Sequence, residues 1–157
     1  MGVRVVVEQG FDAASFVDNV KADLEIQILR EMRGIRMDLV NECRGYNTYQ
    51  DQTTNLRSSI GGFIVVDGVI DSMSEFEQLP PKLKDTTGKV EYNGGERGRA
   101  YAEELAANET QNIVLGIVAG MQYAQAVESK GYDVISGSTI LSERLIKEAL
   151  KDIAENE

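Results

Sequence analysis

One apolar stripe between Phe16 and Cys43 constrains the fold more than any other feature of this sequence. Large apolar side chains recur three or four residues apart for about eight helical turns, at Phe16, Val20, Leu24, Ile28, Met32, Ile35, Leu39 and Cys43. This spacing places them on one face of a helix. It predicts a long N-terminal helix that begins after Asp12 as N-cap and ends near Gly45.

A second, weaker stripe on the same helix lies off this face and allows two interpretations. It consists of Ala22, Ile26, Leu29, Met37 and Val40, interrupted by arginines. In the first interpretation the helix lies in a groove, and its own domain covers both stripes. In the second, the additional apolar face packs against a neighbouring subunit, and repeated heterologous contacts of that kind can close into a ring.

Turn residues and apolar runs predict the β structure. Asp67-Gly68 separates residues 60–66 from residues 69–76, which is typical of a β-hairpin. Alternation in the second arm predicts Ile70, Ser72, Ser74 and Phe76 on one face, and Asp71, Met73, Glu75 and Glu77 on the other. The β-branched run at 3–8 predicts an opening strand, and the nearly continuous apolar run at 113–119 predicts a central strand.

The remaining segments predict helices and one long loop. Residues 80–99, rich in glycine and polar residues, predict a flexible arm inserted between the hairpin and the third helix. That helix is expected at 96–108, with Tyr101, Ala102 and Leu105 toward the core. A short helix at 121–130 and an extended piece at 132–136 precede a closing helix, for which Ser138 or Thr139 is the expected N-cap, with Glu143 placed to assist.

Together these patterns predict an α+β fold in a single domain over residues 1–157. Its long N-terminal helix and C-terminal helix are expected to pack on a mixed, mainly antiparallel sheet that contains the hairpin.

Charge and residue types exclude several classes of function. The chain has 26 acidic and 16 basic residues, no histidine and a net charge of −10, so specific nucleic-acid binding is not expected. The lack of histidine excludes Ser-His-Asp and Cys-His catalysis, and the single Cys43 excludes a four-cysteine zinc site. We therefore expect no catalytic residue, no cofactor and no metal, and we interpret the chain as a cytoplasmic protein without a membrane segment.

A glycine-rich stretch, Gly94-Gly95-Glu96-Arg97-Gly98-Arg99, invites comparison with phosphate-binding loops. It lacks the Lys-Ser/Thr pair of a P-loop and the spacing of a dinucleotide fingerprint. We interpret it as loop, with Arg97 and Arg99 as charges that dock the arm on a partner.

Two short motifs carry a family resemblance. Thr53, Leu56, Arg57, Ser59 and Ile60 fit the pattern Thr-Gly-x-Leu-Arg-x-Ser-Ile, with Thr54 in place of the glycine, and Tyr123, Ala124, Val127 and Glu128 fit Tyr-Ala-x-x-Val-Glu. In these motifs and in its order of elements the chain resembles the tail-completion, or head-to-tail joining, proteins of tailed bacteriophages and prophages.

The resemblance implies a non-catalytic virion protein in the phage neck. Such a protein joins the tail tube to the head connector as a homo-oligomeric ring, and it can be a monomer in solution before assembly. The alternatives are a tail terminator or a small host-encoded protein-binding module, with an enzyme behind both. The candidate interface or structural residues are Leu56, Arg57, Ser59, Ile60, Arg97, Arg99, Tyr123 and Glu128.

Overall fold

The computed structural model describes residues 12–45, 51, 53–81 and 87–156. The opening strand predicted at 3–8 lies outside these ranges, as does most of the polar loop that follows the first helix. The elements are α1 (Ala13–Gly45), α2 (Asn55–Ser58), β1 (Ile60–Val66), β2 (Val69–Met73), α3 (Gly94–Asn108), β3 (Ile113–Ala119), α4 (Ala124–Glu128) and α5 (Ser136–Glu155). The α+β prediction, with long first and last helices and a hairpin, is confirmed.

Helix α1 begins where the sequence predicts. The Asp12 carboxylate accepts hydrogen bonds from the Ala14 amide (3.1 Å) and the Ser15 hydroxyl, as an N-cap does. Only the second half of the predicted stripe is buried, at Ile35, Leu39 and Cys43. All described side chains from residue 14 to residue 23 are exposed, whereas Leu24 and Ile28 are half-buried.

The second stripe of α1 divides in the same way. Leu29 and Val40 are buried, whereas Ile26 is 65% exposed and Met37 is 59% exposed. The domain itself therefore covers part of this stripe and leaves large apolar side chains on the surface.

Three antiparallel strands form the described sheet in the order β2-β1-β3. The prediction of a central strand at 113–119 differs from the sheet of the described residues, in which β1 is central and β3 pairs with β1 alone. The continuous apolar composition of β3 does not indicate its position in the sheet, because α1 packs on one face of the sheet and α3 on the other. A strand covered on both faces is apolar throughout, whether or not its outer edge is paired.

The hairpin turn has the expected geometry, but the second strand is irregular. Asp67 (φ 46°) and Gly68 (φ 84°) both have positive φ, as a type I′ turn requires. Val65 pairs with Ile70 and Ile64 with Ser72, so Asp71 is an extra residue in a β-bulge. The predicted alternation is therefore wrong beyond Ile70.

Because of the bulge, Met73 shares the face of its partner Phe63 and packs against the apolar cluster that contains Phe63 and Ala102 of α3. Asp71 instead binds the Arg33 guanidinium of α1, with 2.9 Å between Nε and Oδ2. The hydrogen bond from Arg33 holds the pKa of Asp71 below its ordinary value.

Helix α3 begins at Gly94, so residues 94–99 of the predicted arm are helical. Residues 87–93 form neither helix nor strand, and 82–86 are not described. Ala102 and Ala106 are the buried side chains of α3, while Tyr101 is 41% exposed, contrary to the prediction that it points to the core. Farther along, α4 is shorter than predicted and no strand forms at 132–136. None of the described helices is long and apolar enough to cross a membrane.

Candidate functional site

The structure brings the two sequence motifs together at one place, which we call the motif junction: α2, the segment from Ala119 to Ala124, and the first turns of α3. The Gly120 amide donates to the Ser59 carbonyl oxygen (3.1 Å), and Ile60 pairs with Ala119. Leu56 and Ile60 pack in one apolar cluster with Met121, Ala124, Cys43 and Val134. Leu56 and Ile60 thus belong to the core.

The polar residues of the first motif are buried as well. Arg57, Ser58 and Ser59 are at most 8% exposed. The Ser58 hydroxyl donates to the Thr54 carbonyl oxygen (2.9 Å), and the Ser59 hydroxyl donates to that of Leu56 (2.7 Å). These hydroxyls satisfy local backbone acceptors and present nothing to a partner.

Arg57 is a buried residue that connects α2 to the end of α1 and to Asp51. Its Nη1 donates to the Arg44 carbonyl oxygen (2.8 Å) at the end of α1, and its Nε lies 3.6 Å from the buried Asp51 carboxylate. The same carboxylate accepts the Arg57 amide (3.2 Å). A buried ion pair with these additional hydrogen bonds fixes the position of α2, so Arg57 has a structural role.

Thr54 precedes α2 in the left-handed conformation, with φ 62° and ψ 0°. A β-branched residue rarely adopts this region, which glycine enters without a steric penalty. The Thr54 hydroxyl donates to the Leu79 carbonyl oxygen (2.6 Å) after the hairpin. Thr54 stands where the motif of the phage proteins has glycine, and the backbone here is one that favours glycine.

Asn55, which the sequence patterns do not single out, attaches α3 to α2. Its Oδ1 accepts the Gly94 amide at the start of α3 (3.1 Å), and its Nδ2 donates to the Glu91 carbonyl oxygen (2.7 Å). It thereby caps a helix 39 residues away in sequence. No local pattern reveals a cap this distant.

The glycines near the start of α3 permit close backbone packing. A Cβ on Gly98 would lie 2.5 Å from the Ser59 carbonyl oxygen, and one on Gly120 would lie 2.5 Å from the Gly98 Cα. No side chain fits at these distances. The glycine-rich stretch is therefore a helix start seated on α2 and β3.

Tyr123, Arg97 and Arg99 lie at the surface of the junction. Tyr123 is 40% exposed and lines, with Arg97 and Lys89, an open polar depression of about 470 Å³. Burial, and then the charge of Asp51, raise the pKa of the Tyr123 phenol above its ordinary value, while Thr53 and Arg97 oppose this shift. Arg99 points to solvent and lies 3.7 Å from Glu103 on the same helix.

Glu128, one of the candidate interface or structural residues, caps α5. Its Oε1 accepts the amides of Ile135 (2.8 Å) and Ser136 (2.9 Å) and the Ser136 hydroxyl, while Asp133 accepts the Gly137 amide (2.9 Å). The predicted cap at Ser138 or Thr139 is wrong, because α5 begins at Ser136 and the Ser138 hydroxyl donates backwards to Ile135.

Partial burial by itself raises the pKa of Glu128, but the hydrogen bonds from Ile135 and Ser136 outweigh burial and leave the pKa below its ordinary value. Arg57 pairs with Asp51, and Arg144 lies 3.9 Å from Glu148.

The junction is thus a buried connector with a polar depression at its surface. Among the described residues, no group of three or more histidine, cysteine or carboxylate side chains is placed to hold a metal ion. In comparisons with protein-family models, curated proteins and solved structures, the chain has no match.

Proposed function

We propose that this chain is a structural protein of a tailed bacteriophage or prophage that joins the tail to the head connector as a ring of identical subunits. The observation that carries the proposal is the exposed start of α1. Ten successive residues, 14–23, are exposed there, and they include Val17 (46%) and Val20 (42%). A helix that leaves an apolar stripe in water is suited to burying it against another subunit.

The motif junction supports the same role. The residues by which the chain resembles tail-completion proteins are mostly buried connectors, and they fix the relative positions of α1 and β3. A ring subunit needs such a rigid centre, because small errors in subunit angle accumulate around a closed ring. The role is non-catalytic, and its partners are the tail tube and the head connector.

The net charge of −10 suits a ring through which DNA passes. Attractive contacts with phosphates would slow a sliding duplex, whereas an acidic lining repels it. We assign the finished protein to the neck of the virion and the unassembled chain to the cytoplasm.

Disruption of this gene in the strain that carries it, followed by prophage induction and electron microscopy, tests the proposal. We expect filled heads and tails of normal length that remain separate, and joined particles when the intact chain is supplied from a plasmid. Tails of uncontrolled length would identify a tail terminator instead. Joined infectious particles at the normal yield would overturn the phage role and favour a host-encoded binding module.

A further inference from the structure

A continuous line of exposed residues runs along α1, from its projecting start into the part that packs on the domain. Its members recur every three or four residues and lie within roughly 80° of one another around the helix axis. We call this set the outer stripe. All of its residues are exposed: Phe16, Asn19, Asp23, Ile26, Arg30, Gly34, Met37 and Asn41. It lies opposite the buried face of the helix at Ile35, Leu39 and Cys43.

The outer stripe carries three large apolar side chains in solvent. Phe16 is 55% exposed, Ile26 is 65% exposed and Met37 is 59% exposed, and they are ten or eleven residues apart. A Cβ built on Gly34 would have no atom within 4 Å, so this glycine packs nothing in its own chain and leaves room for another backbone to come close. Apolar side chains aligned on one face of a helix indicate a contact surface.

The order of residues in the outer stripe identifies the partner. Four of its positions lie seven residues apart, a spacing that keeps them on the line along which two helices pack. They read apolar, acidic, basic, apolar: Phe16, Asp23, Arg30 and Met37. The reversed series places a base opposite each acid and an apolar residue opposite each apolar one. Two antiparallel copies are therefore complementary, whereas a parallel pair in register would set like charges against each other.

We infer that two copies of this chain pair through the outer stripe as an antiparallel dimer, with the two-fold axis beside Ile26. The overlap from Phe16 to Met37 is roughly 32 Å long. The present partner of Arg30 is the neighbouring Glu31, 3.6 Å away in an exposed pair of little strength. The register sets these residues of the two copies opposite each other, each pairing occurring twice: Phe16 and Met37, Asn19 and Gly34, Asp23 and Arg30.

A cavity of about 340 Å³ beside Met37 suits the aromatic ring that this register brings there. Its volume exceeds the about 150 Å³ of a cavity that holds benzene. The Nε and Nη1 atoms of Arg36 are buried in its wall and have no hydrogen-bond partner among the described residues. Methionine sulfur and a poorly solvated guanidinium both favour an aromatic neighbour. The lining residues that would meet the ring are Arg36, Met37, Val40, Arg44 and Met73.

This contact is isologous, so two copies saturate it and it does not extend into a ring. The inference thus goes beyond the proposed ring and describes the unassembled chain. The dimer covers the start of α1, which is the surface that the ring is proposed to bury. The two contacts exclude each other, and subunits join the neck only after the dimer has separated.

Charge reversal in the full-length chain tests the register. Asp23→Arg and Arg30→Asp each set like charges opposite one another at both pairings, whereas the double variant restores opposite charges. An equimolar mixture of the two single variants restores them as well, because a copy with two bases meets a copy with two acids. The matched controls are Asp18→Arg and Lys21→Asp, which change the net charge equally at exposed positions outside the outer stripe.

Sedimentation velocity at low ionic strength, from micromolar to millimolar concentration, measures dimerisation, with circular dichroism to verify folding. We expect dimers from the unmodified chain, both controls, the double variant and the mixture. Each single variant alone should dimerise roughly tenfold more weakly, because two attractive pairs become two repulsive ones. Ile26→Asn, beside the axis, should weaken the dimer without a change of charge.

An unmodified chain that stays monomeric at millimolar concentration would overturn the inference, while the particle experiment would still decide the ring. Single variants that dimerise as strongly as the unmodified chain would also overturn it, as would controls that weaken the dimer equally or assemblies of more than two copies. If a charge-reversed variant does not fold, Ile26→Asn decides the question, since undiminished dimerisation of that variant would refute the contact.

Discussion

At the scale of single residues, the polar groups of the motif junction act on the chain's own backbone. Arg57 and Asn55 bind main-chain groups of distant segments, and the hydroxyls of Ser58 and Ser59 bind carbonyl oxygens three or four residues earlier in the chain. The sequence reveals Arg57 and Ser59 as motif positions, but it does not show that they are buried. Their roles become visible only when distant segments meet, as with Asn55 and Gly94.

Substitutions at Thr54 measure how much the left-handed backbone at this position costs in stability. Thr54→Ala and Thr54→Gly both lose the hydroxyl that binds the Leu79 carbonyl oxygen. Only glycine relieves the left-handed backbone at φ 62°. We expect the glycine variant to be more stable than the alanine variant by about 1 kcal/mol, measured by urea denaturation. Equal stabilities would show that the left-handed backbone carries no strain.

Glu128 gives a pH-dependent prediction. Its pKa in the folded protein lies below the ordinary value, so its cap stabilises α5 fully above the unfolded-state pKa and is lost as the pH falls through the folded-state pKa. Glu128→Gln should cost about 1 kcal/mol at neutral pH. The difference from the unmodified chain should vanish in acid, where the unmodified side chain is protonated.

The control for this measurement is Glu143→Gln on the same helix. Glu143 is exposed and is the residue that the local sequence pattern selects for capping. We expect no change in the unfolding free energy beyond about 0.5 kcal/mol at any pH. A cost equal to that of Glu128→Gln would place the cap where the sequence pattern expects it.

At the scale of elements, periodicity predicts which segments are helices but not what covers them. The stripe of α1 predicts its bounds closely because a repeat near 3.6 residues is a property of the helix itself. Whether Val20 or Leu39 is buried depends on where α5 and the sheet end. The position of β3 in the described sheet cannot be predicted from its composition for the same reason. Because α1 and α3 cover its two faces, the strand is apolar whether or not both of its edges are paired.

Substitutions at the two halves of α1 should differ in their cost. Leu39 is fully buried, so Leu39→Ala should lower the unfolding free energy by about 2–5 kcal/mol. Val20 is 42% exposed, and Val20→Ala should change it by less than about 0.5 kcal/mol in the monomer. Chemical denaturation at low protein concentration measures both. A large cost at Val20 would mean that the first half of the helix is packed within the monomer.

At the scale of the whole molecule, the α+β class follows from the sequence because helix and strand periodicities are separated along it. The meeting of the two motifs does not follow, since it requires the Ser59–Gly120 hydrogen bond and the close approach of Gly98 to Gly120. These are long-range backbone contacts, and they leave no local signature except the glycines themselves.

The reactivity of the Cys43 thiol measures whether the packing between α1 and the motif junction opens. The side chain is 4% exposed within the cluster that joins α1 to the motif junction, and burial raises the pKa of its thiol. A thiol reagent should therefore modify the native protein slowly, at a rate that rises with denaturant as global unfolding does. Rapid modification of the native protein would show that the end of α1 separates locally.

The long first helix has a mechanical consequence. From about residue 28 onward the helix packs against the rest of the domain, while its first part extends roughly 24 Å beyond this packed portion. A tilt of about 10° at the packed portion moves the N-terminal end of the helix by roughly 4 Å. In the proposed ring, this motion would let each subunit adjust to neighbours of different curvature or diameter while its interior keeps its packing.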